Sequence, residues 1–385
     1  MNYLITGKGY ISKLVTKIET ENKIKGKIKN KDKIKVISEE EFKNSELILK
    51  ASDKVYAPTE SALEIILERS EDKTFVNAVN MLKDKYKFRE LMNNLYPDFF
   101  FTKTTINELE NIKLDRDKKF IVKPTKGFFG TAVRELNKHT NISKIAVEIR
   151  DELAENLRYF PESILSKNEL IIEQFVEGEE YAVDMYFNEN GKPEILNIYH
   201  HPLSEKNEYF NVLYYTNKEI FERFYDRLNT IFIELNEHLN ITNFPIHAEF
   251  KLENEALIPI EMNPLRFGGF GLADLAYHAF GFNPFDAFFN NFKPNWKQIW
   301  TERNENHFGW ILGYNGTDID VNTHEPDHET YQEYLGDILH YVKIDYKKNP
   351  AFSIAYVKDN CPKSLQRLLK IEFNDFFVTV KKKVL

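Results

Sequence analysis

Residues 244–271 read FPIHAEFKLENEALIPIEMNPLRFGGFG. The pattern is that of a β-hairpin. Phe250-Lys251-Leu252 runs into a polar turn, Glu253-Asn254-Glu255, and Ala256 to Ile260 returns as an apolar strand. Glu249 lies on the first arm and Glu261 ends the second. The two are 12 residues apart, and an even offset keeps both on one face of a flat hairpin, so their carboxylates are expected to meet across the ladder. Facing carboxylates repel unless something cationic stands between them. Asn263 adds a neutral oxygen on that side. Two carboxylates and an amide oxygen form a hard-oxygen set suited to Mg²⁺, which usually binds through a few carboxylates plus substrate phosphates. Arg266 and Gly268-Gly269-Phe270-Gly271 follow at once. A metal, a phosphate-ready arginine and a glycine-rich loop in one segment point to chemistry on a nucleotide.

The bulk properties narrow the class. The chain has 385 residues, enough for two or three packed domains. Hydrophobic residues make up 42% and charged residues 29%, as in soluble globular proteins. A net charge of −8 argues against a nucleic-acid binder that works through a general basic field. The lysine-rich run from Lys23 to Lys35 is local and reads as a solvated loop or edge, with a polyanion patch as the sharper alternative. Cys361 is the single cysteine, so there is no disulfide framework and no thiolate metal site. No apolar run is long enough to span a bilayer, and the N-terminal residues lack a signal-peptide layout. A cytoplasmic protein is expected, with no membrane partner.

Along the chain, Tyr3 to Thr6 is a short apolar strand. Gly7-Lys8-Gly9 and a helical pattern at Ile11, Leu14, Val15 and Ile18 follow, the opening of a doubly wound α/β domain. Further strands are expected at Lys33 to Ile37, Leu47 to Leu49 and Lys54 to Tyr56, then a helix from about Glu60 to Glu68. Asp84 to Leu95 forms an amphipathic helix. Lys119 to Lys123 is a strand entering the loop 124–131, PTKGFFGT, and Ala132 to Leu136 returns as strand. Helix is expected at Ile142 to Leu157, and strand at Leu170 to Val176. Tyr181 to Phe187 and Glu194 to Tyr199 make a hairpin around Asn188-Glu189-Asn190-Gly191. Lys218 to Leu239 is a long helix, and Leu272 to Phe280 another. The tail after about residue 301 alternates strand-like and helical pieces without a motif.

Several side chains stand out. Lys123 enters a loop containing Gly127 and Gly130, whose freedom lets backbone N–H groups close on phosphate oxygens; a plain hairpin turn is the alternative. Phe128 and Phe129 at its tip suit a loop that covers something. Lys85 begins its helix beside Asp84 and, taken alone, is a surface lysine. Glu173-Gln174-Phe175-Val176-Glu177-Gly178-Glu179-Glu180 is a strand end whose backbone can pair with a purine edge and whose carboxylates can accept from an amino group or from ribose hydroxyls. His200, His201 and Tyr209 could line a pocket, although exposed turn histidines are the plainer reading. His247 sits two residues before Glu249 on the same strand face, as a support for Glu249 or as core.

Taken in order, these motifs resemble those of the ATP-grasp superfamily over roughly residues 80–285. The resemblance implies an α/β (α+β) protein with the ATP-grasp fold. Residues 1–96 would be a Rossmann-like pre-ATP-grasp domain and 97–178 a central subdomain with the glycine loop. Residues 179–300 would be a second subdomain with the metal site, and 301–385 a C-terminal extension. It implies that Lys85 and Lys123 reach nucleotide phosphates and that Gly127, Phe128, Phe129 and Gly130 belong to the mobile loop. Glu173, Gln174, Phe175 and Val176 would form the adenine hinge, and Glu180 would bind ribose. Glu249, Glu261 and Asn263 would hold Mg²⁺ (or Mn²⁺), and Arg266 would steady an acyl-phosphate. The family tail often reads Glu-x-Asn-Pro-Arg; here Leu265 intervenes, which shifts Arg266 by one residue.

The activity implied is that of an ATP-dependent carboxylate–amine ligase acting on small molecules, an amino acid or peptide among them, with a homodimer as the default assembly. Carboxylase, thiol-ligase and carbamoyl-phosphate-type chemistry keep the same fold with another acceptor. A non-catalytic nucleotide-binding protein is the alternative from a different class.

Overall fold

The structure, a computed structural model, describes residues 1–15, 34–115, 117–127, 130–157, 165–202, 212–303 and 306–380. Phe128, Phe129, Tyr209, Ile18 and residues 23–33 of the lysine-rich run lie outside these residues.

The chain opens with three short strands, β1 (Asn2–Thr6), β2 (Ile34–Ser38) and β3 (Lys54–Tyr56), in a parallel sheet ordered β2-β1-β3. Leu47 to Leu49, expected as strand, contributes only a single bridge from Leu49 to Ser70. A one-turn 3₁₀ segment, Glu60–Ala62, leads into the helix Leu63–Glu68. Two helices then follow in close succession. Lys73–Lys83, which the sequence reading missed, is capped by Asp72, and Lys85–Met92 is capped by Asp84. Asp84 Oδ1 accepts from the N–H groups of Tyr86 (3.0 Å) and Lys87 (3.2 Å), satisfying two donors that the helix cannot pair internally. Lys85 is therefore the first residue of a firmly started helix.

The next sheet is antiparallel, ordered β4 (Phe101–Thr105), β7 (Glu169–Gln174), β5 (Phe120–Pro124), β6 (Arg134–Leu136). The helix Ile142–Asn156 covers it, burying Ile142, Ala146, Ile149 and Leu153 at helical spacing.

The largest sheet has eight antiparallel strands. Its members are β8 (Glu179–Phe187), β9 (Pro193–His201), β10 (Leu213–Thr216), β11 (Phe244–Glu253), β12 (Ala256–Pro264) and β13 (His307–Tyr314), and, past the short β14 (His324–Pro326), also β15 (Ile338–Lys343) and β16 (Ala351–Asp359). The order is β12-β11-β8-β9-β10-β13-β16-β15, while β14 pairs with β17 (Phe377–Thr379). The sheet thus runs on past residue 300 into the tail. The helix Lys218–Leu239 packs on β9 and buries Phe221, Phe224, Leu228, Phe232 and Leu235. Asn217 caps its start through the Ile220 N–H (2.8 Å), and Asn240, at φ 50°, turns the chain out of it.

The hairpin β11–β12 forms as expected but by a different construction. Its turn has two residues, with Glu253 paired to Ala256, and both Asn254 (φ 49°) and Glu255 (φ 64°) adopt the left-handed conformation that tight hairpins need. A two-residue turn alone would set Glu249 opposite Ile260 and send Glu261 to the other face. The register shifts between Glu249 and Phe250, so that Glu249 pairs with Glu261 while Phe250 pairs with Pro259. Ile260 is the extra residue of this bulge. The register then places Glu261, Glu249, Glu180, His201, Tyr214 and Trp310 on one face of the sheet.

Candidate functional site

A cleft of about 290 Å³ opens between the four-stranded sheet and β11–β12. Lys85, Lys123, Gly127, Glu173, Glu180 and Glu261 are among the residues that line it, with Gly130, Gln174, Phe175 and Val176. The structure therefore brings most of the sequence-predicted residues to one place.

Charge organises the cleft floor. The Lys85 ammonium contacts Glu261 Oε1 and the Gly127 carbonyl, both at 3.2 Å, and the Lys85 N–H donates to Thr125 O at 2.7 Å. One lysine thus ties the helix start, the glycine loop and the metal-candidate strand together. Burial alone would push the Glu261 carboxyl up, but Lys85, Lys83 and Lys123 together pull it down to about 2. For Lys85, burial works against the charge, and Glu261 together with Glu60 and Glu173 more than restores it, so its pKa is raised.

Glu173 sits deeper. Its carboxylate accepts from Arg89 Nε at 2.8 Å and pairs with the Lys123 ammonium at 2.7 Å. Burial opposes its charge, but Arg89 and Lys123 hold it at about 2. Lys123, by contrast, is lowered, because burial and the nearby Arg89 and Lys85 outweigh the attraction of Glu173. Arg89 also donates to Pro259 O at 2.5 Å and lies 4.1 Å from the centre of the Phe99 ring. It anchors β7 to the helix and to β12.

Beyond Gln174 the strand leaves the sheet. Gln174 exchanges contacts with Phe100, the Phe175 N–H donates to Lys119 O (3.0 Å), and the Glu177 N–H donates to Glu253 Oε1 (2.6 Å). Val176 lines the cleft between them. Gly178 has φ +104° and passes against the Leu252 carbonyl. Phe175 carries two ammonium groups over its ring, Lys119 at 5.3 Å and Lys251 at 5.5 Å. Glu180 accepts from or pairs with His201 Nδ1 at 2.8 Å, and the His201 ring stacks on Tyr214 at 4.1 Å. The two histidines are not exposed turn residues: His200 is buried against Tyr215 OH (2.8 Å), because β9 runs to residue 201.

On the metal-candidate side, Glu249 lies 3.6 Å from His247 Nε2, whose Nδ1 meets Asp184 Oδ1 at 2.8 Å. Burial would lower the His247 pKa, but Asp184 and Glu249 raise it to about 9. Asp184 also accepts from Tyr199 OH (2.7 Å) and from the Gly268 N–H (2.7 Å). It pins the start of the Gly268–Gly271 loop behind Glu249. Asn263 is buried opposite His247. Among the described residues, no group of three His, Cys, Asp or Glu side chains could hold a metal. Glu249 and Glu261 face each other across the β11–β12 ladder with Asn263 two residues further on, a hard-oxygen set that could hold an ion taking its other ligands from phosphate and water, as Mg²⁺ does.

Leu265 explains the shifted arginine. It has φ 64°, is fully buried, and is held from both sides: its N–H donates to Pro245 O and its carbonyl accepts from the Ala57 N–H, both at 2.8 Å. The extra residue is a left-handed corner. After it, Arg266 reaches Glu60 Oε1 at 3.4 Å.

Sequence reasoning missed Arg89, Lys83, Glu60, Asp184 and Lys251. Arg89 was findable, since it is four residues after Lys85 and shares its helix face. Glu60 carries no local signal, because its partners are distant in sequence.

Comparison with known proteins agrees with this geometry. Residues 117–274 match the model of the ATP-grasp domain family. Among curated proteins, no sequence matches the chain. Among solved structures, the L-amino acid ligase from Bacillus licheniformis is similar at 15% identity and TM-score 0.65, covering 99% of both chains. Phosphoribosylglycinamide synthetase from Anaerococcus prevotii is similar at 16% identity and TM-score 0.57, again over 99% of both. N5-carboxyaminoimidazole synthase from Aspergillus clavatus, solved with ADP and 5-aminoimidazole ribonucleotide, is similar at 11% identity and TM-score 0.58, over 97% of this chain and 98% of that one. At these identities the likeness is one of fold. What the family match shows is an ATP-grasp domain over residues 117–274.

Proposed function

We propose that the protein is an ATP-dependent carboxylate–amine ligase that joins a small carboxylic acid to an amine, releasing ADP and phosphate. The observation that carries this reading is the Glu249–Glu261 pair, set across one ladder beside a cleft whose floor holds Lys85 and Lys123. Paired carboxylates facing buried lysines suit a metal and a polyphosphate together, since each neutralises what the other leaves.

When bound, Mg²⁺ would offset the charge of the ATP phosphates, and the γ-phosphoryl group would activate the substrate carboxylate as an acyl-phosphate. The chain's own groups do the rest. Lys85 and Lys123 hold the phosphates, and Glu249, Glu261 and Asn263 hold the ion. The strand end from Gln174 to Val176 receives the base, and Glu180, oriented by His201, receives the ribose. Arg266 provides positive charge for the acyl-phosphate and for the oxyanion that forms as the amine attacks. Gly127, held by Lys85 through its carbonyl, and Gly130 border the phosphate end of the cleft, where keeping water out protects the acyl-phosphate. Support for the nucleotide comes from the fold relative that holds ADP.

The test is direct. Purified protein is mixed with ATP, Mg²⁺ and a panel of amino acids as acid and amine, and ADP and phosphate are measured. Release that depends on the amine is expected; ATP binding with no amine-dependent release across a broad panel overturns the ligase reading.

A further inference from the structure

The N-terminal region touches the arginine directly. Residues 56–60 run beside residues 265–267, joined at three points. The Ala57 N–H donates to Leu265 O (2.8 Å), the Phe267 N–H donates to Tyr56 OH (3.0 Å), and the Arg266 guanidinium donates to Glu60 Oε1 (3.4 Å). Glu60 accepts from the Lys83 ammonium through its other oxygen. Lys83 ends the helix Lys73–Lys83, two residues before Lys85, and only 8% of it is exposed.

The two backbone-anchored contacts would suffice to dock one segment on the other. The Glu60–Lys83 pair, with Lys83 buried and Glu60 partly buried, is an additional device, and its cost needs a reason, since ion pairs withdrawn from water give up hydration that their attraction only partly returns. Charge supplies one. With Glu60 alone, Arg266 would be a neutralised pair and a poor anion receptor. With Lys83 on the far oxygen, one carboxylate serves two cations and one net positive charge remains. Burial alone would raise the Glu60 pKa, but Lys83 and Arg266 hold it below the usual range, so the carboxylate stays ionised. The 3.4 Å contact and a second one from Arg266 to Phe267 O (3.3 Å) fix the guanidinium plane while leaving it further donors.

Resting on the reading of Arg266 as the acyl-phosphate cation, we propose that Glu60 is a positioning residue that aims Arg266, and that Lys83 neutralises Glu60 so that Arg266 keeps its charge for the anion. The N-terminal region then completes the reaction centre.

Orthophosphate binding to the protein loaded with Mg·ADP, followed by calorimetry, tests this without a known substrate. Arg266→Ala is expected to weaken phosphate binding by about tenfold or more, the size of one charge-assisted contact. Lys83→Met, which leaves Glu60 to neutralise Arg266, is expected to weaken it by about tenfold, and by more than it changes Mg·ADP affinity. Glu60→Gln/Lys83→Met restores the net charge and keeps an acceptor for Arg266; it is expected to recover phosphate affinity to within about threefold of the parent. Glu60→Asp keeps every charge but withdraws the carboxylate by one methylene, and should also weaken phosphate binding; it serves if Lys83→Met does not fold. Glu60→Ala should cost nothing further once Arg266 is alanine. Parental phosphate affinity in Lys83→Met or Glu60→Asp, or an undiminished Glu60→Ala effect in the Arg266→Ala background, overturns the proposal while Mg·ADP binding keeps the nucleotide reading intact. Failure of the parent protein to bind Mg·ADP overturns both.

Discussion

Arg89 and Glu173 are joined twice beneath the cleft, Nε to Oε1 at 2.8 Å and a terminal guanidinium nitrogen to Oε2 at 3.3 Å. Lys123 takes the same carboxylate at 2.7 Å. Removing the anion leaves two cations buried without it, and unpaired buried charge is the costly case. Glu173→Ala is expected to lower stability by about 3–5 kcal/mol, read from urea unfolding. A loss below about 1 kcal/mol, typical of exposed pairs, would show that the carboxylate is not the keystone of this cluster.

Acid should undo the same contact. The Glu173 carboxyl is held at about 2, below its ordinary value of 4.5. A depressed folded pKa stabilises above the unfolded value and loses that contribution as pH falls through the folded one. The parent protein should therefore lose stability between about pH 4.5 and 2. Glu173→Gln, already lacking the charge, should lose less over that interval. Parallel melting curves for the two proteins across it would contradict the assignment.

Glu261→Ala removes one of two carboxylates from the proposed ion site and also frees Lys85. Turnover with ATP and Mg²⁺ is expected to fall by at least about a hundredfold, the scale on which lost transition-state stabilisation shows. Turnover equal to that of the parent would refute the metal assignment.

Glu255 occupies a left-handed turn position with φ 64°, directly after Asn254. Glu255→Gly creates the Asn-Gly pair that two-residue hairpins favour. Relief of about 1 kcal/mol of backbone strain competes with loss of the exposed Arg223–Glu255 bridge at 3.0 Å, itself worth about 0–1 kcal/mol. A rise in melting temperature is expected, and a fall would mean that the bridge dominates.

Gly178→Ala tests the hinge. An added Cβ would lie 2.0 Å from the Leu252 carbonyl oxygen, and φ is +104°. Neither backbone can yield without moving β8 from β11. Stability should drop by about 2 kcal/mol or more and ATP-analogue affinity should fall with it. An unchanged melting curve would rule out the close approach.

The hairpin, the helix that follows Asp84 and the lysine–glycine loop were legible in the sequence because each is encoded locally, by alternation, amphipathic spacing or a glycine pair. The helix Lys73–Lys83 was not. Its Thr74, Val76, Asn77, Val79 and Asn80 are indifferent helix formers, and packing against β12, with the Phe75–Phe244 ring contact to β11 at 5.7 Å, supplies what propensity lacks. The tail strands escaped for another reason. β13 gains its meaning from register with β10, roughly a hundred residues earlier, and β16 and β15 are added in turn onto β13, so nothing within 301–380 announces the sheet they extend. Glu60 and Lys83 were invisible in the same way. A single charged residue reads as surface until its partner is known.

The bulge at Ile260 has a consequence for how this segment can change length. Side chains alternate, so a single residue gained or lost between Glu249 and Glu261 puts the two, now on one face, on opposite faces of the sheet. A single deletion or insertion in the turn sends one acidic side chain to the side covered by packed helices, while an insertion offset by removal of Ile260 returns it. The segment behaves like a parity code, in which length errors of one are lethal to the site and length errors of two are silent.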